Sequence, residues 1–338
     1  MDVAGWMWIA TLVGLTALLL LDLIIVGRRP HEPSMREATL WVIFYVGLAL
    51  VFGLLVLWEF GPQYGAQFYV GWLTEYSLSV DNLFVFVIIM TRFAVPRPFQ
   101  QKALLFGIVL ALIMRGGFIA AGSAAVSRFS WVFYLFSIFL LYTAVKLATQ
   151  GESDESDFKE NALIRWSRRV LPMTEKYEGA RLTARNSRGR LLLTPMVVVL
   201  IAIGTTDLIF ALDSIPAIFG LTKEPYLVFT ANVFALMGLR QLYFLLGGLL
   251  DRLVYLSFGL SIVLGFICVK LFLEALADNT LPFINGGKKV GWAPHIGIEL
   301  SLAVIIGTLV ITTVASLVKT RREMRAEAVT ADKSSKPS

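Results

Sequence analysis

Thr206-Asp207-Leu208-Ile209-Phe210-Ala211-Leu212-Asp213-Ser214-Ile215-Pro216 lies inside an apolar segment long enough to cross a bilayer. It carries two carboxylates at that depth. A central Asp costs about 2.5 to 3.5 kcal/mol on insertion scales, so such residues face a polar cavity, a partner or an ion rather than lipid. The pattern returns once, as Thr74-Glu75-Tyr76-Ser77-Leu78-Ser79-Val80-Asp81-Asn82. Both copies read threonine, acid, five residues, aspartate, then an amide or hydroxyl. They are read here as the two halves of one cation site.

The surrounding composition agrees with a membrane setting. The chain is 57% hydrophobic and 16% charged, with a mean hydropathy of +0.73, whereas a soluble domain carries about 25% charged residues. Nine apolar segments fit helical spans, near 6–26, 39–59, 69–91, 102–122, 129–148, 192–217, 226–247, 252–274 and 296–318. The first lacks a basic leader and a small-residue cleavage site, so it is read as a span and not a signal peptide. The expected fold is an all-α polytopic membrane protein.

The net charge of +6 gives no reason to expect nucleic acid, because basic residues in membrane proteins mainly set topology. Of the 30 Lys and Arg, 22 fall in connections that are cytoplasmic if the N-terminus is outside, and four fall in the outer loops. The expected orientation is therefore N-terminus outside and C-terminus cytoplasmic, which an odd number of spans requires. Cys268 is the sole cysteine, which excludes an intrachain disulfide. The two histidines, His31 and His295, make no zinc or copper spacing. No organic cofactor and no enzymatic activity are expected.

The spans group into units: two N-terminal helices (1–68), a first three-helix repeat (69–148), a charged cytoplasmic linker (149–191), a second repeat (192–274), an outer loop with the last helix (275–318), and a disordered tail (319–338). The linker is mixed-charge, with a short amphipathic pattern near Ala162–Val170, and is the natural place for protein partners. The repeat rests on polar exceptions that line up. Gly107–Arg115 corresponds to Asn232–Arg240, and Ala144-Val145-Lys146-Leu147 to Cys268-Val269-Lys270-Leu271. Three spans per unit invert the second copy, as in secondary transporters whose sites form near the midplane.

On an ideal helix, residues six apart diverge by about 240° and residues seven apart nearly coincide. Asp207 thus shares a stripe with Ser214, Thr206 with Asp213, Glu75 with Asn82, and Thr74 with Asp81. Pro216 cannot donate a backbone hydrogen bond, so it is expected to free carbonyl oxygens beside Asp213. The candidate metal ligands are Glu75, Asp81, Asn82, Asp207, Asp213 and Ser214, an all-oxygen set suited to Mn²⁺, Mg²⁺ or Ca²⁺. Arg115 and Arg240, one per repeat, would offset the surplus negative charge, with protonation of the acids as the other route. Lys146, Lys270, Asp22, Glu59 and Glu274 read as interfacial charges near span ends.

Glu75–Asn82 and Asp207–Phe219 resemble the two signatures of the TerC/Alx family of bacterial integral membrane proteins, and the likeness runs from the first span to the last. The resemblance implies a metal-homeostasis protein of the inner membrane, associated with manganese efflux and named for tellurium resistance, with kinship to LysE-type transporters. One departure is Gly204, where many family members carry Glu.

The leading expectation is a divalent-cation exporter, for Mn²⁺, working by alternating access with H⁺ coupling. Ca²⁺, or a monovalent cation exchanged for H⁺, is the second transport reading. A non-transporting scaffold that loads metal onto exported proteins is a third. An intramembrane aspartyl protease is disfavoured, because Gly204-Thr205-Thr206-Asp207 lacks the second glycine of that motif and each helix carries two acids.

Overall fold

The computed structural model describes residues 1–28, 33–129, 131–150, 174, 177–179, 181–185, 191–246, 255–282 and 284–334; the side chains of residues 26–28, Asp81, Phe84, Gln150, Arg185, Leu246 and residues 323–334 also lie outside the described set. His31 and the amphipathic pattern near Ala162–Val170 fall outside it too.

The helices are α1 (Gly5–Arg28), α2 (Met35–Phe60), α3 (Pro62–Arg92), α4 (Arg97–Arg128), α5 (Val132–Gln150), α6 (Pro195–Phe219), α7 (Pro225–Met237), α8 (Leu239–Leu246), α9 (Leu256–Ala277) and α10 (Ile298–Ser334). Among the described residues, nine helices are long and apolar enough to cross a membrane, α7 and α8 together making one of them. The chain is an all-α polytopic membrane protein.

Local chemistry sets the helix ends. Ser34 caps α2 by accepting from the Glu37 backbone N–H, as a serine before the first helical turn does. One residue, Gly61, separates α2 from α3; its φ of +95° is open to glycine but strained for other residues, and Pro62 restarts the helix at its first turn. Proline likewise opens α6 and α7. Pro216 neither breaks nor ends α6, which continues to Phe219 with the Gly220 N–H bonded to the Pro216 carbonyl.

The helix contacts form an exchanged pattern. The second helix of the first unit, α4, packs along α6, while the second helix of the other unit, α7, packs along α3. The first helices meet each other (α3 with α6), and so do the third helices (α5 with α9). Swapped and self-paired contacts of this kind are what a two-fold relation between the units would give. Small residues permit the close approaches: a Cβ on Gly107 would lie 2.6 Å from Ile203 Cγ2, and one on Gly204 2.7 Å from Leu110 Cδ2. A Glu at position 204 would therefore have to displace Leu110.

Two features differ from expectation. The tail does not turn irregular at residue 319: α10 runs on as helix to Ser334, through Arg, Glu, Met and Ala residues with high intrinsic helix propensity. The linker contains a small antiparallel hairpin, β1 (Thr183–Arg185) on β2 (Leu191–Leu193), with Thr183 opposite Leu193. It is tethered to the bundle near the Tyr177 hydroxyl, which donates to the Phe93 carbonyl at 2.7 Å.

Candidate cation site

The centre of the bundle holds an ionic cluster built by three helices. Arg115 of α4 is 1% exposed and extends between α3 and α6. Its Nε donates to Asp207 Oδ2 and its Nη2 to Asp207 Oδ1, both at 3.0 Å, the two-pronged fit of a planar guanidinium to a carboxylate. Its Nη1 donates to Glu75 Oε1 and, at 3.2 Å, to Ser214 Oγ. Glu75 also accepts from Ser79 Oγ at 3.4 Å. Glu75 is 0% exposed and Asp207 1%.

This arrangement follows from helix periodicity. Asp207 and Ser214, seven residues apart, share a stripe, and one guanidinium reaches both. Asp213, six residues from Asp207, points elsewhere. It is half-buried against α5, where the Thr143 hydroxyl donates to Asp213 Oδ1 at 3.2 Å and Lys146 supplies the nearest positive charge. The described carboxylates thus occupy two places instead of one. Among the described residues, no three His, Cys, Asp or Glu come together in a way that could hold a metal ion.

The remaining sequence candidates are placed as follows. Asp81 lies on α3, but its side chain is outside the described residues. Asn82, Thr74 and Thr206 are buried. Among the described residues, Thr74 Oγ1 has no hydrogen-bond partner, and neither does Glu75 Oε2. Arg240 does not join the central cluster. Its Nη2 donates to Asp22 Oδ1 of α1 at 2.6 Å, and among the described residues its Nε and Nη1 have no partner. The charge balance expected from both arginines is supplied to Glu75 and Asp207 by Arg115 alone. Asp22, read as interfacial, is instead 4% exposed and paired with Arg240, because α1 packs against α4 and α7. Lys270 is half-buried, and its Nζ donates to Ser301 Oγ of α10 at 3.1 Å.

Sequence reasoning passed over Asn232. It lies on α7, is 1% exposed, and among the described residues neither of its amide atoms is hydrogen-bonded. Its only signal was its place at the head of the second copy of the repeat, where the first has Gly107. Thr143 gave no signal, since its relation to Asp213 exists only through the packing of α5 on α6.

At the ends of α3, α6, α9 and α10 opens a cavity of about 1000 Å³ lined by Gln67, Thr222, Glu224, Lys270, Glu274 and Glu299 among others. Phe219, six residues beyond Asp213 on α6, lies in its wall.

Comparison with known proteins places these features in a wider group. The model for the integral membrane protein TerC family matches residues 60–324, which includes both acidic helices. An uncharacterized membrane protein of Mycobacterium tuberculosis is 48% identical over 319 residues, covering 94% of this chain and 80% of the relative. Another uncharacterized membrane protein, from Myxococcus xanthus, is 41% identical over 323 residues, 95% of each. A relative in Escherichia coli, carrying the name "Putative membrane-bound redox modulator Alx", is 37% identical over 315 residues, 90% of this chain and 92% of the relative. No solved structure matches.

Proposed function

The chain belongs to the integral membrane protein TerC family, and from that premise we propose that it exports a divalent metal cation, Mn²⁺ foremost, across a bacterial inner membrane to maintain metal homeostasis. The observation that carries this reading is the meeting of Glu75 from one unit and Asp207 from the other at a single buried guanidinium. Ionisable groups kept at such depth mark ion pathways by default. The oxygen donors of Glu75, Asp207 and Ser214, followed along the same two helices by Asp81, Asn82 and Asp213, suit a hard cation.

Transport by this architecture requires one unit to rock against the other, which moves α3 relative to α6 and changes which acids share a space. The mixed-charge cavity at the outer ends of α3, α6, α9 and α10 is a fitting exit vestibule. H⁺ coupling follows if the acids exchange protons for metal. No bond is made or broken in such a cycle, so the protein is read as a carrier and not an enzyme. Protein partners would dock through the linker 149–191.

The redox role in the relatives' name does not find a thiol pair here. Cys268 is the sole cysteine, is buried, and donates its S–H to the Ser137 carbonyl at 3.1 Å. Cation exchange is the better use of the residues present.

The test is Mn²⁺ flux into proteoliposomes loaded with a Mn²⁺-quenched dye. The expected result is flux in wild type, lost in Asp81→Asn and Asp213→Asn, with competing Ca²⁺ ranking the two ions. Absence of flux from folded wild type under either polarity of pH gradient sinks the export reading and favours a metal-loading scaffold.

A further inference from the structure

We propose that Arg115 is a tethered competitor for the transported cation: its guanidinium occupies the place between Glu75, Asp207 and Ser214 that the cation takes when Arg115 swings away. The proposal rests on the cation-export reading above and adds how the site is guarded when no metal is bound.

Four observations support it. The guanidinium contacts three oxygen-bearing side chains, on two different helices, that sequence chemistry assigns to a cation. Its single positive charge meets two carboxylates, so the cluster stays one charge short of neutral with both acids ionised. Oxygens suited to a metal remain unused at the same depth: among the described residues, Glu75 Oε2 and Thr74 Oγ1 are buried without partners.

The fourth observation is Asn232. Ala231 of α7 faces Gly71 of α3, with 3.6 Å from a Cβ on that glycine, and Phe229 of α7 faces Gly116 of α4, with 3.8 Å. At about 100° per residue, Asn232 falls between those two faces. It therefore faces the α3–α4 side of α7, the side on which Gly71 precedes Glu75 by one turn and Gly116 follows Arg115. Its amide oxygen, buried and without a hydrogen bond among the described residues, would be a further neutral ligand.

Local sequence also permits Arg115 to move. Gly116 and Gly117 follow it directly, and a Cβ on Gly117 would meet nothing within 4 Å. A divalent ion brings twice the charge of the guanidinium and, unlike it, can draw on carbonyl and amide oxygens as well as carboxylates. Displacement is then a contest between +2 and +1 for the same two acids. With Arg115 in place the metal-free form is filled and carries one of the two charges the acids call for, so it can cross between states without metal.

The experiment measures Mn²⁺ binding by purified protein, using calorimetry, for wild type, Arg115→Gln and Arg115→Lys. Removing the tethered charge should tighten Mn²⁺ binding at least tenfold in Arg115→Gln, and Glu75→Gln added to it should abolish the gain. Arg115→Lys keeps a charge but not the fork, and should show a smaller gain. Folded Arg115→Gln that binds Mn²⁺ no tighter than wild type overturns the proposal.

An arginine-reactive dicarbonyl tests wild type directly and serves where Arg115→Gln does not fold. Millimolar Mn²⁺ should raise modification of Arg115, read by peptide mass spectrometry, and an unchanged rate overturns the displacement. The outcomes separate from those of the export reading. Flux in wild type with no effect of Arg115→Gln on binding removes only the competitor, whereas a tightened site without flux removes only export.

Discussion

Arg115 and Asp207 form a two-pronged, nearly parallel pair across the α4–α6 contact, Nε to Oδ2 and Nη2 to Oδ1 at 3.0 Å each, with neither side chain more than 2% exposed. Such a pair couples stability and function. Its charges attract strongly in a medium of low polarity, yet each has given up its hydration, so removing one partner leaves the other uncompensated.

Asp207→Asn should therefore destabilise the folded protein by about 3–5 kcal/mol. The Asp207→Asn/Arg115→Gln double variant should lose less than the sum of the single variants, because residues in direct contact couple. Thermal unfolding in detergent checks this; additive losses would mean that the pair contributes little.

Asp213 should behave differently. It is half-buried, and its hydrogen bond to the Thr143 hydroxyl at 3.2 Å is a single neutral contact. Asp213→Asn is expected to change stability by no more than about 1 kcal/mol while abolishing Mn²⁺ flux. Equal melting temperatures with lost flux support this; a large fall in melting temperature would put Asp213 in the structural network.

Arg240 and Asp22 tie α8 to α1, away from Glu75 and Asp207. Asp22→Asn should cost stability, about 3–5 kcal/mol for a charge left buried, and leave flux per folded molecule unchanged. Flux lost from a fully folded variant would bring this pair into the transport pathway.

The α4–α6 contact makes a steric prediction. Gly107→Val places a Cβ where Ile203 Cγ2 lies 2.6 Å away, and such overpacking costs about 1–3 kcal/mol. Gly117→Ala on the same helix meets open space and should be neutral or stabilising by up to about 1 kcal/mol, since Ala is the better helix former. Comparing melting temperatures of the two variants checks the helix packing.

Orientation is testable with the natural thiol left in place, because Cys268 is buried. Lys288→Cys lies at an exposed position between α9 and α10, and Arg97→Cys at an exposed position at the start of α4. A membrane-impermeant maleimide added to intact cells should label the first and spare the second. The reverse pattern would invert the topology.

Much of the bundle was legible from residue spacing. Hydrophobic runs of span length mark helices, because a lipid environment requires the backbone to satisfy itself within each segment. Helical geometry also separated Asp207 from Asp213 and joined Asp207 to Ser214, as Arg115 and Thr143 now record from opposite sides of α6. Composition points to disorder in the tail, yet charged, small residues suit disorder and helix alike, and α10 carries them on to Ser334.

By itself, the sequence determined the membrane setting, the all-α class, and the presence of two acidic helices that cannot face lipid. Those follow from local composition and periodicity, which act within one segment at a time. Tertiary structure alone decided which charge meets which. Arg115 and Arg240 occupy matching places in the repeat, yet one bridges Glu75 and Asp207 while the other turns to Asp22 on α1. The physical reason is that a buried charge pairs with whatever opposite charge its neighbouring helices bring within reach, and that choice of neighbours is made by the packing of distant segments.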